Sequence, residues 1–329
     1  MTAPGTRTLD WLRKEWFLIA LLGAIVLASL WPELGASGGL LRLDGASDVG
    51  VALIFFLTGL GLSTTEVGRG LANWRVHVLV QVSTFVLFPL LGVALAWAGA
   101  GWLPEGLLLG MAYLCALPST ISSSVAMTVI ARGNVPAAVF NATLSSLLGI
   151  VATPALLALT AHAGGAQLEF MPAVIKLGRM VLLPLLVGQA ARPLLGDWLA
   201  RNKKRMSLID RGVILMFVLN AFSDSVRSGL WRDHGAGLLV EALVGATLLL
   251  AIVLVLTTWA ARRAGLSTED EIAVVFCGSK KTLASGIPMA RLLFGAHPQL
   301  GVIVLPIMFY HQVQLITCSV LAGRYARRN

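Results

Sequence analysis

The sequence predicts an all-α polytopic membrane protein of ten transmembrane helices, arranged as two inverted repeats of five. Three observations predict it. Of 329 residues, 57% are hydrophobic and 12% charged, with a mean hydropathy of +0.83; a soluble domain carries about 25% charged residues. The apolar residues fall in unbroken runs near the roughly 20 residues that cross a bilayer as a helix, not in the alternating segments of about ten that build a β-barrel. A shift of 162 residues also lays the second half of the chain on the first. Cys115 falls on Cys277, Thr120 on Thr282, Ser123 on Ser285, Met127 on Met289, Gly133 on Gly295 and Pro136 on Pro298.

The runs read in order as spans 16–33, 48–63, 77–98, 104–130, 136–162, 170–191, 207–228, 236–261, 270–294 and 299–322. They form one transmembrane domain, with a first repeat over about 16–162 and a second over about 170–322. Arg13 and Lys14 precede the first run, Trp16–Trp31, and no small-x-small site leads from it into a polar mature domain, so it reads as a retained helix and not a cleaved signal. Loop charges test the rest. With both termini cytoplasmic, the inner side holds Arg7, Arg13 and Lys14 before span one, then Arg69 and Arg75, Arg132, the 192–205 basic cluster, Arg262 and Arg263, and finally Arg324, Arg327 and Arg328. The outer side keeps Arg42, Arg227, Arg232 and Arg291. That asymmetry obeys the positive-inside rule, and an odd number of spans would spoil it. It also accounts for the net charge of +9 without a nucleic-acid partner. Five spans per half is odd, so the repeats have opposite orientation, as in many secondary transporters.

Cys115, Cys277 and Cys318 all lie in apolar segments; an odd, buried set reads as small core residues and not as a disulfide or metal framework. Lys176, Arg179, Arg211, Lys280 and Lys281 lie inside or near spans, where ionisable groups are expensive and point to function by default. Lys176 and Arg179 share one face of span six, and Lys176 is expected to pair with Asp224 of span seven near the outer surface. Arg211 is expected to snorkel to the cytoplasmic interface.

The two segments matched by the repeat are the oddest in the chain. CALPSTISSSVAMT (115–128) places Pro118 before five hydroxyl residues, and CGSKKTLASGIPMA (277–290) carries two lysines, two glycines and a proline. Proline removes a donor and clashes with the preceding turn, and glycine loosens a helix. Both spans are expected to break near mid-membrane, which is tolerable only where the backbone lines a cavity or is buried in protein. Freed carbonyls and hydroxyls there suit a cation, and half-helix N-termini an anion. A kinked helix whose serines bond back to its own carbonyls is the plainer alternative for either segment alone.

At these residues the chain resembles the bile acid:sodium symporter family, in particular its bacterial SBF-like branch. The resemblance covers nearly the whole chain and is sharpest at 118–124, at ARGNV (131–135), at SGIP (285–288) and at YHQ (310–312). It implies a core of spans three, four, five, eight, nine and ten, with four and nine broken and crossing, and a panel of spans one, two, six and seven. Substrate would bind between them and move by alternating access. It implies a secondary active transporter of a small organic anion in the bacterial inner membrane, with no cofactor and with Na+ or H+ as coupling ion. Sodium would be held at Ser122, Ser123 and Ser124; the two hydroxyls expected on span five fall at Ala138 and Ala142, leaving Asn141 and Thr143 as polar neighbours. Span three offers Thr84, with Gln81 one turn away, and span ten offers His311 and Gln312 after Tyr310. Ser119, Thr120, Thr282 and Ser285 complete the polar set of the two breaks.

One departure dominates. Where the resemblance implies a carboxylate shared by the sodium sites stands Ser279, followed by Lys280 and Lys281, and the nearest acids, Glu269, Asp270 and Glu271, lie about two turns away. A hard cation wants negatively charged oxygen ligands; a unit charge pair at 4 Å interacts by an energy on the order of 4 kcal/mol at an effective dielectric near 20, and reversing one sign turns that attraction into repulsion. Three readings stay open. A lysine ammonium replaces a sodium ion, so that transport is sodium-independent or proton-coupled; one lysine binds the anionic substrate; or both reach loop carbonyls or acids as structural groups. An enzyme is not expected: the histidines show no HExxH spacing and no GxSxG elbow occurs, leaving only a remote serine–lysine dyad. A channel or a regulatory membrane protein is the other alternative class.

Overall fold

The computed structural model describes residues 16–61, 73–161, 172, 175, 178–227, 235, 237–295 and 297–328. The described residues form helices and connections, with no strand. The helices are α1 (Trp16–Leu30), α2 (Leu43–Gly61), α3 (Trp74–Gly99), α4 (Glu105–Ala116), α5 (Ser122–Ile130), α6 (Val135–Ala161), α7 (Leu183–Arg227), α8 (Gly237–Arg263), α9 (Thr268–Gly278), α10 (Gly286–Phe294) and α11 (Leu300–Ala326). Spans four and nine are each broken, into α4 with α5 and α9 with α10. The breaks recur at the sequence offset: α4 ends at Ala116 and α9 at Gly278, and 116 plus 162 is 278.

Among the described residues, five helices are long and apolar enough to cross a bilayer: α3, most of α6, the Lys204–Arg227 part of α7, α8 and α11. With the shorter apolar helices this is a polytopic membrane protein. α7 lies along α2 and α1 and also meets α10 and α11, while α4 packs on α3, α6 and α11, and α8 on α9 and α11. α11 is the most enclosed long helix, its first nine residues from Leu300 to Met308 all buried.

The connection between spans six and seven is short. α7 is two helical stretches joined across a kink at Asn202 (φ −105°, ψ 15°), inside the basic segment RNKKR at 201–205. A straight helix of 45 residues would measure about 68 Å, far more than the hydrocarbon thickness of roughly 30 Å. The kink falls in the expected 192–206 connection, and helix reaches close to it from both sides because lysine, arginine, leucine and methionine are good helix formers.

Lys176 lies outside the described residues. Asp224 accepts two bonds from Ser37, from its N–H and its hydroxyl, both at 2.7 Å, and so ties the end of α7 to the α1–α2 connection. Arg211 does more than reach for the interface: its guanidinium lies over the rings of Trp16 (5.4 Å) and Phe17 (5.3 Å) of α1.

Candidate functional site

Each break follows from local sequence, and each leaves backbone groups that other spans satisfy. Pro118 has no N–H and biases its predecessor away from helix; Leu117 is extended (φ −68°, ψ 151°). The Ala116 carbonyl accepts from Thr153 Oγ1 at 2.9 Å, and the Ser119 N–H donates to Ser145 Oγ at 2.9 Å, both on α6. In the second break, Tyr310 Oη donates to the Ser279 carbonyl (2.6 Å) and Tyr113 Oη to the Gly286 carbonyl (2.5 Å). Gln314 acts as a strand-like partner for one residue: its Oε1 accepts from the Lys281 N–H and its Nε2 donates to the Lys281 carbonyl, both at 2.9 Å. The two breaks also bond each other. Thr282 N–H reaches the Pro118 carbonyl (3.2 Å), Ser119 Oγ the Cys277 carbonyl (2.6 Å) and Ser124 Oγ the Phe276 carbonyl (3.1 Å). Irregular backbone at this depth is thus paired inside protein, as it must be without water.

Both lysines point inward and are fully buried. Lys281 Nζ donates to three backbone carbonyls, those of Thr84 (3.0 Å), Cys115 (3.0 Å) and Leu117 (2.5 Å), and sits 4.0 Å from the centre of the Phe88 ring. An ammonium has three donors, so this one is saturated. The Thr84 carbonyl is free for a covalent reason. Residues Ser83–Leu87 form a π-turn in which the Phe88 N–H bonds back to Ser83 O. The next N–H in that register would belong to residue 89, a proline. Restoring it with Pro89→Ala should let the turn close on Thr84 and draw its carbonyl from Lys281. A hydrogen bond to a charged group contributes about 1.5–3 kcal/mol, so this variant should unfold at lower temperature, measured by differential scanning fluorimetry, although it removes a proline from a helix.

Lys280 is less well served. Its Nζ donates to the Ser123 carbonyl (2.7 Å) and lies 5.5 Å from the Phe276 ring centre. Neither lysine has a carboxylate partner; both ion pairs among the described residues involve Glu271, with Arg262 (3.1 Å) and Arg328 (3.9 Å). Glu271 also accepts from Tyr325 Oη, and Asp270 accepts from Asn73 and Asn134, so these two acids are held at the start of α9.

Of the residues singled out in the sequence, the structure gathers Thr84, Ser119, Ser123, Ser124, Ser279, Lys280, Lys281 and Thr282 around the crossing. Thr84 contributes its carbonyl, since its hydroxyl donates to Val80 O. Ser279 donates its hydroxyl to Val275 O. Ser285 donates to Thr282 Oγ1 (3.0 Å). His311 meets Gln314 (3.1 Å) and so stands one residue removed from Lys281. Thr120, Thr143 and Gln312 make no side-chain hydrogen bond among the described residues. Gln81 and Asn141 pair with each other at the α3–α6 contact (3.2 and 3.3 Å), and Asn141 Nδ2 goes on to His77 Nδ1 and Ala137 O, both at 2.9 Å.

The expected sodium ligands do not converge. Ser124 is committed to Phe276, Asn141 to α3 and its own helix, and the Ser123 carbonyl to Lys280, while Ser122 lines a cavity. The Ser123 hydroxyl is buried without a hydrogen-bond partner among the described residues, but with no carboxylate among the four residues and with Ser124 and Asn141 engaged elsewhere, the set does not fit a sodium ion as arranged. Sequence reasoning missed Gln314, Tyr113, Ser145 and Thr153. Tyr113 and Thr153 are isolated polar groups in apolar spans, the usual form of an interhelical hydrogen bond in a membrane, and that signal was available; Ser145 and Gln314 lie near other polar residues, Ser146 and Gln312, and stood out less.

The cavity has a volume of about 860 Å³ and lies between α2, α7 and the start of α5. Thr58, Ser122, Gln189, Arg192, Asp197 and Ser207 supply its polar lining. It thus joins the panel-like group of helices to the first break.

Comparison with known proteins agrees over the whole length. The SBF-like CPA transporter family matches residues 15–327. An uncharacterized protein of Pseudomonas aeruginosa is 46% identical over 312 residues, 95% of this chain and 93% of its own. The Escherichia coli protein named "Putative symporter YfeH" is 44% identical over 319 residues, 95% of this chain and 93% of its own. The rat protein named "Sodium/bile acid cotransporter 7" is 33% identical over 318 residues, 96% of this chain and 93% of its own. The chain belongs to the SBF-like CPA transporter family: it is a multi-pass membrane protein of a transporter family, not an enzyme.

Proposed function

We propose that this protein is a secondary active carrier of a small organic anion that works without sodium, with the Lys281 ammonium standing in for the coupling cation. One observation carries the reading: Lys281 Nζ sits among three backbone carbonyls at the crossing of the two breaks, with no carboxylate beside it. Carbonyl oxygens left by broken helices are the groups that hold a transported cation in such folds. Here a tethered cation satisfies them. A second cation about 4 Å away would be repelled by roughly 4 kcal/mol at an effective dielectric near 20. Alternating access would be motion of α1, α2 and α7 against the remaining helices, with substrate in the cavity between. The loop charges support a bacterial inner membrane location with both termini cytoplasmic.

Thermal unfolding of the purified protein tests the coupling ion. Titration with NaCl against choline chloride at constant ionic strength should give superimposable curves, while a panel of organic anions should contain members that raise the Tm. A ligand stabilises by RT ln(1 + [L]/Kd), so a sodium-specific, saturable rise in Tm would refute the reading.

A further inference from the structure

The two adjacent lysines are solvated unequally, and the inequality separates their roles. Lys281 has three carbonyl acceptors for its three protons and an aromatic ring at 4.0 Å. Lys280 has one carbonyl acceptor, Ser123 O, and a ring at 5.5 Å. Both are equally enclosed. A buried charge is tolerated in proportion to the hydrogen bonds it receives, so Lys280 is the one that can shed a proton at lower cost.

Its surroundings bring it near the cavity. The carbonyl that holds its ammonium belongs to Ser123, and the preceding residue, Ser122, lines the 860 Å³ cavity. The titratable groups around Lys280 are Cys277 of α9, His311 and Cys318 of α11, and neighbouring Lys281, with Arg211 acting on His311 from α7. α5 presents serines only, Ser123 and Ser124, at this point. No carboxylate is among these groups, so nothing nearby fixes the charged form by an ion pair.

We infer that Lys280 is the proton-exchanging group of this carrier, passing a proton between its amine and water of the neighbouring cavity, while Lys281 stays a fixed cation. In the step an N–H bond of the Lys280 ammonium breaks, its electron pair remains on Nζ, and the proton leaves on water as hydronium; the reverse step recharges the amine. The inference rests on the sodium-independent reading for its purpose in transport, but its test does not involve sodium.

A neutral amine is acylated and an ammonium is not, so competitive labelling reads the difference directly. The full-length protein in nanodiscs is pulsed with acetic anhydride at a series of pH values, and the extent of acetylation at each lysine is measured by mass spectrometry. Lys280 should react faster than Lys281 by about tenfold or more, the factor that corresponds to one lost charge-assisted hydrogen bond, and its rate should climb with pH along a single titration. The exposed Lys204 serves as the reference for a freely accessible amine. Equal rates at the two lysines, a faster Lys281, or no modification of either in the folded protein would overturn the inference. A sodium-dependent Tm would instead refute the replacement of the coupling ion and leave these rates untouched.

Discussion

Replacing Lys281 with methionine should abolish transport and destabilise the protein strongly, although methionine nearly matches the lysine stem in length and is well tolerated in apolar surroundings. The loss comes from what remains. The carbonyls of Thr84, Cys115 and Leu117 each lose the donor that satisfies them. An orphaned buried polar group costs about 1–3 kcal/mol. Three of them outweigh the relief of no longer burying a charge, which breaking a compensated site does not fully return. The net loss should be about 3 kcal/mol or more, seen as a large fall in Tm. Lys281→Ala adds a sharper outcome. It leaves the same three oxygens and opens room for an ion beside the Phe88 ring. That variant should gain a saturable stabilisation by Na+ that the parent protein lacks. If Lys281→Met is as stable as the parent and Lys281→Ala ignores Na+, the ammonium is not a surrogate cation and the carbonyls have another purpose.

The parts of this arrangement that depend on composition were readable in the sequence. Apolar runs located the helices, and Pro118, Gly278 and Gly286 located the breaks, because missing donors and missing side chains act on the backbone within a turn. The 162-residue echo was readable for the same reason: both breaks begin at equivalent positions, after Ala116 and Gly278. What a side chain does across the fold was not readable. Thr84 was picked by its place in span three, a few residues before Pro89, yet the group in use is its carbonyl, freed by that proline. Asn141 was assigned to the break as the nearest polar residue to two alanines, but a helix face decides such matters, and its face meets His77 and Gln81 of α3. The basic stretch at 201–205 marked the connection between spans six and seven, and the chain kinks there at Asn202; how short the non-helical part would be was not readable, since charge says nothing against a helix. The lysines were the exception. Their cost in a membrane was so high that a buried, bonded position was one of few outcomes open to them.

A single methyl group at Gly188 should have an effect out of proportion to its size. A Cβ built there would lie 2.1 Å from the Phe56 carbonyl oxygen and 2.9 Å from the Leu60 nitrogen, and one built at Gly59 would lie 2.0 Å from the Leu185 carbonyl oxygen. These are backbone atoms of α2 and α7, so no rotamer change relieves the clash; the helices must separate. Small residues that allow backbones to touch are the main packing device between membrane helices. Overpacking of this kind costs about 1–3 kcal/mol, and Gly188→Ala should lower the Tm accordingly. Gly212→Ala, on the same helix with open space around the added methyl, should do the opposite by up to about 1 kcal/mol, since alanine is the better helix former. The double variant Gly59→Ala with Gly188→Ala should be less damaging than the sum of its parts, because one separation of the helices relieves both contacts. The same separation has a functional reading. Leu57, Thr58, Leu60 and Gly61 on α2 face Gln189, Arg192 and Pro193 on α7 across the cavity. Spreading this pair widens the cavity while leaving Lys280 and Lys281 untouched, so the glycine variants should weaken stabilisation by organic anions without altering the acetylation rates of the lysines. If they changed those rates as well, α2 and α7 would not move as a wall independent of the crossing, and the division into a moving panel and a rigid core would fail for this protein.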